Sequence, residues 1–325
     1  GRSILLGDTV HRTEEEALRR DDTYLTYAEE QHRLVFSAPL TIIQQSDKPK
    51  PDVPFELFSP ELIKSVTRTL ESKERVFFYA ARRGLAPIVA CIDCGNIFRC
   101  PDSGAPYSLL RTFKNGEEER WFVSAASGSR VRAADTCDKC GSWRLRERGI
   151  GIQHIHDEWR SLFPEHSVTV LDSSTASTAQ NAQKLAKQFF TEQSGILIGT
   201  QLALPFIASG NIALSAIISL DAARNVPTWR ADENLFRLLL NLREYSTDEV
   251  LVQTRTEPDP LLTYATRGAL ERFYDDEIAL REMLSYPPFA DFGLLTWSGE
   301  AAAVKQTEAQ IRETLRNEVA QYYTS

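Results

Sequence analysis

The chain has 325 residues, 42% hydrophobic and 25% charged, with a formal net charge of −8. That length and balance suit one or two globular domains with a real core, and the acidic excess argues against a strongly basic nucleic-acid clamp while leaving room for local basic patches. No apolar run is long enough to span a bilayer, no secretory leader is readable, and five cysteines make no secreted disulfide framework, so a reducing cytoplasm is expected.

Residues 4–7 read as the end of a buried strand, and Thr13-Glu14-Glu15-Glu16 as a capping box opening a short helix. Residues 37–58 are polar, proline-bearing and non-periodic, as expected of a linker. Ser59-Pro60-Glu61 starts a helix with proline at its tolerated first position, and Leu62, Val66 and Leu70 share one face. A buried strand, Arg75–Tyr79, follows. Beyond a cysteine-bearing stretch, helix and strand alternate. Residues 152–162, 179–190 and 230–243 read as helices; 168–171, 196–199, 216–220 and 250–253 read as strands. Such alternation predicts a parallel sheet with helices on both faces. Tyr286-Pro287-Pro288-Phe289 is a hard break, 292–297 reads as a strand, and Val304, Ile311, Leu315 and Val319 stripe a last helix. The only methionine is Met283, so the chain is expected to begin inside a larger protein.

Two cysteine pairs stand out, Cys91/Cys94 and Cys137/Cys140, each C-x₂-C followed by glycine. One tight turn with this spacing presents two thiolates to one cation, and two such turns complete a tetrahedral Cys₄ zinc site. Thiolates also select zinc over magnesium or calcium. A redox pair, a disulfide or buried thiols are the alternatives that spacing leaves open. The stretch between the pairs exceeds the roughly 15–20 residues of a compact two-knuckle site, so something more is packed inside it. There, Cys100-Pro101-Asp102-Ser103 reads like a knuckle with one ligand changed, and Ser124-Ala125-Ala126-Ser127 repeats the spacing. A serine hydroxyl stays protonated at neutral pH and supplies no anionic ligand.

Several segments, in order, resemble the PriA family of primosomal replication-restart DNA helicases. Residues 76–87 resemble the family's strand plus "RRGYAP", and Gly149-Ile150-Gly151 its glycine pair after the cysteine region. Ile196-Leu197-Ile198-Gly199-Thr200-Gln201 matches "ILIGTQ". Leu220-Asp221 and Trp229-Arg230-Ala231-Asp232-Glu233 resemble "LD…FRxxE", and Tyr286-Pro287-Pro288-Phe289 the "PPF" segment. The resemblance implies an α/β, RecA-like parallel sheet with helices on both faces, a zinc-knuckle insertion and the start of a small α+β C-terminal domain. The implied division is 1–36 as the end of a first motor lobe, 37–58 as linker, 59–90 and 149–256 as the second lobe, 91–148 as the insertion and 257–325 as the start of the C-terminal domain. In the family the outer two knuckles share one zinc and the inner two another. Carried over, Cys91, Cys94, Cys137 and Cys140 keep the outer site. Cys100, Ser103, Ser124 and Ser127 occupy the inner positions with three of four ligands gone, which predicts one zinc per chain.

The complete family member is an ATP-dependent 3′→5′ helicase. This sequence has no G-x-x-x-x-G-K-[ST] loop and no DEAH-like box, so ATP and magnesium are expected only if a first lobe lies upstream. The family's "QVAGRAGR" is replaced by Leu238-Leu239-Leu240-Asn241-Leu242-Arg243-Glu244-Tyr245. Arg243, on an amphipathic helix whose arginines ordinarily face solvent, and Arg230 are the remaining nucleotide-side candidates. A missing arginine finger costs about 10³–10⁵ in rate, so the chain is expected to be inactive as an ATPase alone.

DNA contact is the family function expected to survive. Gly199, Thr200, Gln201, Arg82 and Arg83 are the candidates, because loops at strand ends touch backbone phosphates through N–H groups and hydroxyls. Arg111, Lys114, Arg120, Arg130, Arg132, Arg144, Arg146 and Arg148 make the cysteine region basic, with Trp121, Phe122 and Trp143 among them, and Glu117-Glu118-Glu119 opposing. His154 and His156, spaced i,i+2, face apart and read as ordinary helix residues. Asp221 is expected to cap a neighbouring loop. By resemblance the partners are forked or single-stranded DNA, single-stranded-DNA-binding protein and primosome proteins, with no membrane. The alternative is a non-catalytic protein-interaction or structural zinc module derived from a helicase lobe.

Overall fold

The computed structural model describes residues 12–21, 34–45, 56–81, 88–94, 96–101, 106–114, 117–124, 129–148, 151–224, 228–292 and 301–315. In chain order its elements are α1 (Thr13–Arg20), β1 (Leu40–Gln44), α2 (Pro60–Glu71), β2 (Arg75–Tyr79), β3 (Ile88–Cys91), β4 (Ser108–Lys114), β5 (Glu117–Val123), β6 (Arg130–Arg132) and β7 (Leu145–Arg148). There follow α3 (Ile152–Leu162), β8 (Val168–Leu171), α4 (Ala179–Thr191), β9 (Gly195–Gly199), a 3₁₀ turn (Gln201–Ala203), α5 (Leu204–Ile207) and β10 (Ile212–Ile217). The remainder is α6 (Leu220–Arg224), α7 (Ala231–Tyr245), β11 (Ser246–Thr254), α8 (Pro260–Arg267), α9 (Leu270–Met283) and α10 (Ala301–Leu315).

Six strands form one parallel sheet in the order β1-β11-β10-β2-β9-β8. Its apolar runs are buried on both faces, and the two-residue period of a strand divides them. Val76 and Phe78, Ile196 and Ile198, and Leu214 and Ala216 point to one side, where Leu62, Val66 and Leu70 of α2 and Ile152, Ile155 and Trp159 of α3 meet them. Phe77, Leu197 and Ile217 point to the other, against Phe189 of α4 and Leu235, Phe236 and Leu239 of α7. This is the α/β arrangement of a RecA-like lobe. The α2 start is as the sequence specifies: Ser59 Oγ accepts the Leu62 N–H at 3.1 Å, with Pro60 next. No helix of the described residues is long and apolar enough to cross a membrane.

Several expectations need correction. The α1 box is shifted by one residue: Arg12 is the N-cap, its N–H donates to Glu15 Oε2 at 3.0 Å, and Thr13 is already helical and buried. Residues 40–44, inside the stretch read as linker, form the edge strand β1 in register with β11. A sheet neighbour supplies its backbone partners, which no local periodicity could reveal. The fourth strand begins at Ile212, not 216, because Ser215 lies buried within it and is satisfied by Ser246 Oγ at 2.7 Å. Past residue 256, α8 and α9 insert Leu261, Leu262, Ala265, Leu270, Phe273 and Tyr274 into the same core as α7. The body of the sheet domain therefore extends through α9. The expected strand at 4–7 and, from residue 293, the expected strand at 292–297 lie outside the described residues.

The cysteine-bearing stretch builds its own small body. β3 pairs antiparallel with β7, and β4-β5-β6 form a meander. Val89, Phe98, Cys100, Tyr107, Leu109 and Phe122 make its core.

Candidate metal centre and strand-exit loops

The β3–β7 pair brings the two C-x₂-C turns together. Cys91 ends β3 opposite Leu145, so the first turn leaves the ladder where the second arrives. Both turns close alike: the Cys91 N–H donates to Asn96 O at 2.8 Å, and the Cys137 N–H to Ser142 O at 2.7 Å. Gly141 takes φ +72°, a left-handed conformation that glycine adopts without strain. The four Sγ atoms all lie within 4.8 Å of one another, with Cys91–Cys140 and Cys94–Cys137 at 3.6 Å. Tetrahedral zinc with bonds of about 2.3 Å would space sulfurs about 3.8 Å apart, so the donor set and its size fit zinc. These four cysteines can hold one metal ion.

The turns also lower the cost of negative charge. The Cys94 N–H is the strongest influence drawing Cys91 down. At Cys137 burial works against the thiolate, and the Cys140 and Lys139 N–H groups outweigh it, bringing the thiol to about 7. Cys94 and Cys140 move the other way. A backbone N–H, from Asn96 or Ser142, pulls each down, but the neighbouring sulfurs outweigh it and push Cys140 up to about 12. Four sulfurs this close cannot all ionise without a cation between them. Side chains tie the turns together outside the cluster. Asp93 accepts from Ser142 Oγ at 2.5 Å and from the Arg144 guanidinium at 2.8 Å, and Asn96 Nδ2 donates to Asp138 at 2.6 Å. Of the inner positions, Cys100 and Ser124 are buried, while Ser103 and Ser127 lie outside the described residues. Among the described residues no second group of three or more His, Cys, Asp or Glu is placed to hold a metal.

Gly199, Thr200 and Gln201 sit at the carboxyl end of β9, the end of an open α/β sheet where ligands are placed. Gly199 ends β9. A Cβ there would fall 2.4 Å from Ala203 Cβ and 3.1 Å from the Phe77 ring, so only glycine lets the chain turn this tightly. Thr200 then accepts the Ala203 N–H at 2.8 Å, which leaves Gln201 exposed. Next to it, β8 ends at Leu171 opposite Gly199, and a second loop begins that the sequence reading did not single out. Asp172 is buried and organises it: Oδ1 accepts the Ser174 N–H and Thr175 N–H at 2.9 Å and the Ser174 hydroxyl at 2.7 Å. Burial raises the Asp172 carboxyl, but these donors outweigh it and hold it below the ordinary 3.8. The signal was present as Asp-Ser-Ser-Thr directly after a strand, a pattern that closes Asx and ST turns. Arg82 and Arg83 lie outside the described residues.

Arg230 and Arg243 are not brought together. Arg230 precedes α7 at the carboxyl edge, pairs with Glu14 of α1 and lies 4.2 Å over the Trp229 ring. Arg243 is at the other end of α7, which runs straight into the first residue of β11, so it lies at the amino ends of the strands. It is buried, not solvated as an arginine on an amphipathic helix was expected to be. Its guanidinium donates to the carbonyls of Ala38 (3.1 Å), Ala265 (2.6 Å) and Thr266 (3.0 Å) and covers the Phe36 ring. It clamps the approach to β1 and the end of α8. Asp221 does cap a loop: it accepts from the Thr254 and Thr256 hydroxyls at 3.0 and 2.9 Å and the Arg255 N–H at 3.0 Å.

A buried ionic network joins α1, α7 and α9. Arg281 donates to Glu277 at 2.8 Å and Glu233 at 3.1 Å and lies 3.1 Å from Glu14, while Glu233 also accepts the Thr13 N–H at 3.0 Å.

No family model matches the chain. Curated relatives do. Replication restart protein PriA of Chlamydia muridarum is 30% identical over 261 residues, covering 78% of this chain and 34% of that protein. The PriA of Chlamydia trachomatis serovar D is 28% identical over 288 residues (86% and 37%), and that of Bacillus subtilis strain 168 is 28% identical over 259 (78% and 31%). The chain thus spans about a third of the length of the curated relatives it matches. With the six-stranded parallel sheet and the four-cysteine cluster in place, these matches make the chain a member of the PriA family of replication restart proteins.

Proposed function

We propose that this chain is the second motor lobe and cysteine insertion of a replication-restart protein, working in the cytoplasm by binding forked or single-stranded DNA and hydrolysing no ATP by itself. In this reading residues 59–90 and 149–256, joined by β1, α8 and α9, are the lobe and 91–148 the insertion, with one zinc held by Cys91, Cys94, Cys137 and Cys140. The zinc supplies shape: its charge compensates the thiolates and locks the two turns. Single-stranded-DNA-binding protein and primosome proteins are the protein partners.

The observation that carries the DNA reading is the pair of adjoining loops, 172–178 and 199–201, at the carboxyl ends of β8 and β9. The first exposes Ser174, Thr175, Ser177 and Thr178 and the second Gln201, polar groups suited to phosphate oxygens. The ATPase-silent part rests on the sequence, which contains no phosphate-binding loop, and on Arg243, which is spent on carbonyls at the opposite edge.

The test is binding of the zinc-loaded chain to a labelled fork across a salt series, with ATP turnover measured alongside. A DNA module loses affinity linearly in log salt, with a slope set by the phosphates it neutralises. Thr200→Ala with Gln201→Ala should weaken binding. Salt-independent or absent fork binding would favour the protein-interaction module instead, and DNA-stimulated ATP turnover by this chain would overturn the silent-motor reading.

A further inference from the structure

Five arginines of the insertion fall into two sets. Arg111 and Arg120 oppose each other across β4 and β5 and are paired with Glu118 at 3.2 Å and with Asp135, and Arg144 is held by Asp93. Arg130 and Arg132, on β6, are exposed and have no ion pair among the described residues. The register gathers them on one side of the sheet. Arg132 is directly opposite Trp121, and the Arg130 guanidinium lies over the Trp121 ring, 4.3 Å from its centroid. Leu110, opposite Trp121, and Val123, opposite Arg130, are half-buried on the same side. The reverse side carries Leu109 and Phe122 into the core of the insertion.

We propose that this face of β4-β5-β6 is a stacking platform for single-stranded nucleic acid, distinct from the strand-exit loops. The inference rests on the DNA-binding reading and adds a second contact region to it. An arginine over an aromatic ring is held flat at small entropic cost, and its outer face offers a delocalised cation on which a base can stack. Arg132, two residues or about 6.7 Å further along the strand, is placed to reach a neighbouring phosphate. An acidic protein segment would match the charges but would have no use for the stacked guanidinium, so a charge-conserving substitution separates the two partners.

The experiment is fluorescence anisotropy with a labelled oligothymidylate and the zinc-loaded chain across a salt series. Zinc content and thermal melting confirm that each variant is folded. Arg130→Ala with Arg132→Ala should weaken binding about tenfold or more and make the log–log salt slope shallower by about 0.7, for the one single-strand phosphate that Arg132 reaches. Arg130→Lys with Arg132→Lys should restore the slope but not the affinity. If the alanine pair binds like the parent while Thr200→Ala with Gln201→Ala does not, the platform is wrong and the DNA reading stands. Full affinity in the lysine pair would also overturn stacking. A parent chain that ignores the oligonucleotide at every salt concentration would remove both.

Discussion

Replacing Arg243 with methionine is the sharpest test of whether this residue is a motor arginine or a clamp. The aliphatic stem and most of the volume are kept, but the donors to Ala38, Ala265 and Thr266 are lost, and so is the guanidinium over Phe36. A charged donor to a buried carbonyl contributes about 1.5–3 kcal/mol, and leaving the acceptor dry costs about 1–3 kcal/mol. Partial rehydration near residues 36–38 recovers some of this, so we expect a net loss of about 3–5 kcal/mol, in the range of broken buried networks. In urea, with a slope of about 3 kcal/mol/M for a chain of this size, the unfolding midpoint should fall by about 1–1.7 M. Arg243→Lys should fall between the two, since an ammonium lacks the planar fork that serves three acceptors at once. DNA binding, measured well below the transition, should be unchanged. A midpoint within about 0.3 M of the parent, or a loss of binding at full stability, would refute the clamp.

Three other outcomes follow from the geometry. Metal analysis of the purified chain should give one zinc, and Cys94→Ser or Cys137→Ser should abolish it; two zincs, or none in a folded sample, would contradict the single-site assignment. Arg281→Met leaves the Glu14, Glu233 and Glu277 carboxylates together without their shared cation and should cost about 3–5 kcal/mol, whereas Arg68→Met, at an exposed pair with Glu249, should cost under about 1 kcal/mol. Asp172 titrates below its ordinary 3.8 in the folded chain, so its charge stabilises fully above that value and the contribution is lost as pH falls through the lower, folded value. Melting temperatures of the parent and Asp172→Asn should therefore differ at pH 7, and the gap should narrow once the pH falls below 3.8; a gap that is constant with pH would remove the linkage.

The elements that were legible in the sequence carry their own local signal. Pro60 after a serine cap marks α2, the spacing of Ile152, Ile155 and Trp159 gives α3 its buried stripe, and the apolar runs of β2 and β9 are bounded by turn residues. The cysteine cluster was legible for the same reason, since both cysteines of a C-x₂-C pair belong to one turn whatever the rest of the fold does. The edge strand β1 was not, because its identity lies in the backbone of β11, about two hundred residues away in the chain. The role of Arg243 was equally hidden. A helical arginine among leucines reads as a surface residue until α8 and the approach to β1 bring three carbonyls to it. The Asp172 loop gains its meaning only because parallel pairing sets β8 beside β9. The sequence by itself determined the alternation of helix and strand and the two cysteine pairs, which depend on neighbours within a turn or two. Tertiary structure decided which arginines are spent on carbonyls and carboxylates and which remain exposed, because burial and pairing are properties of distant segments meeting.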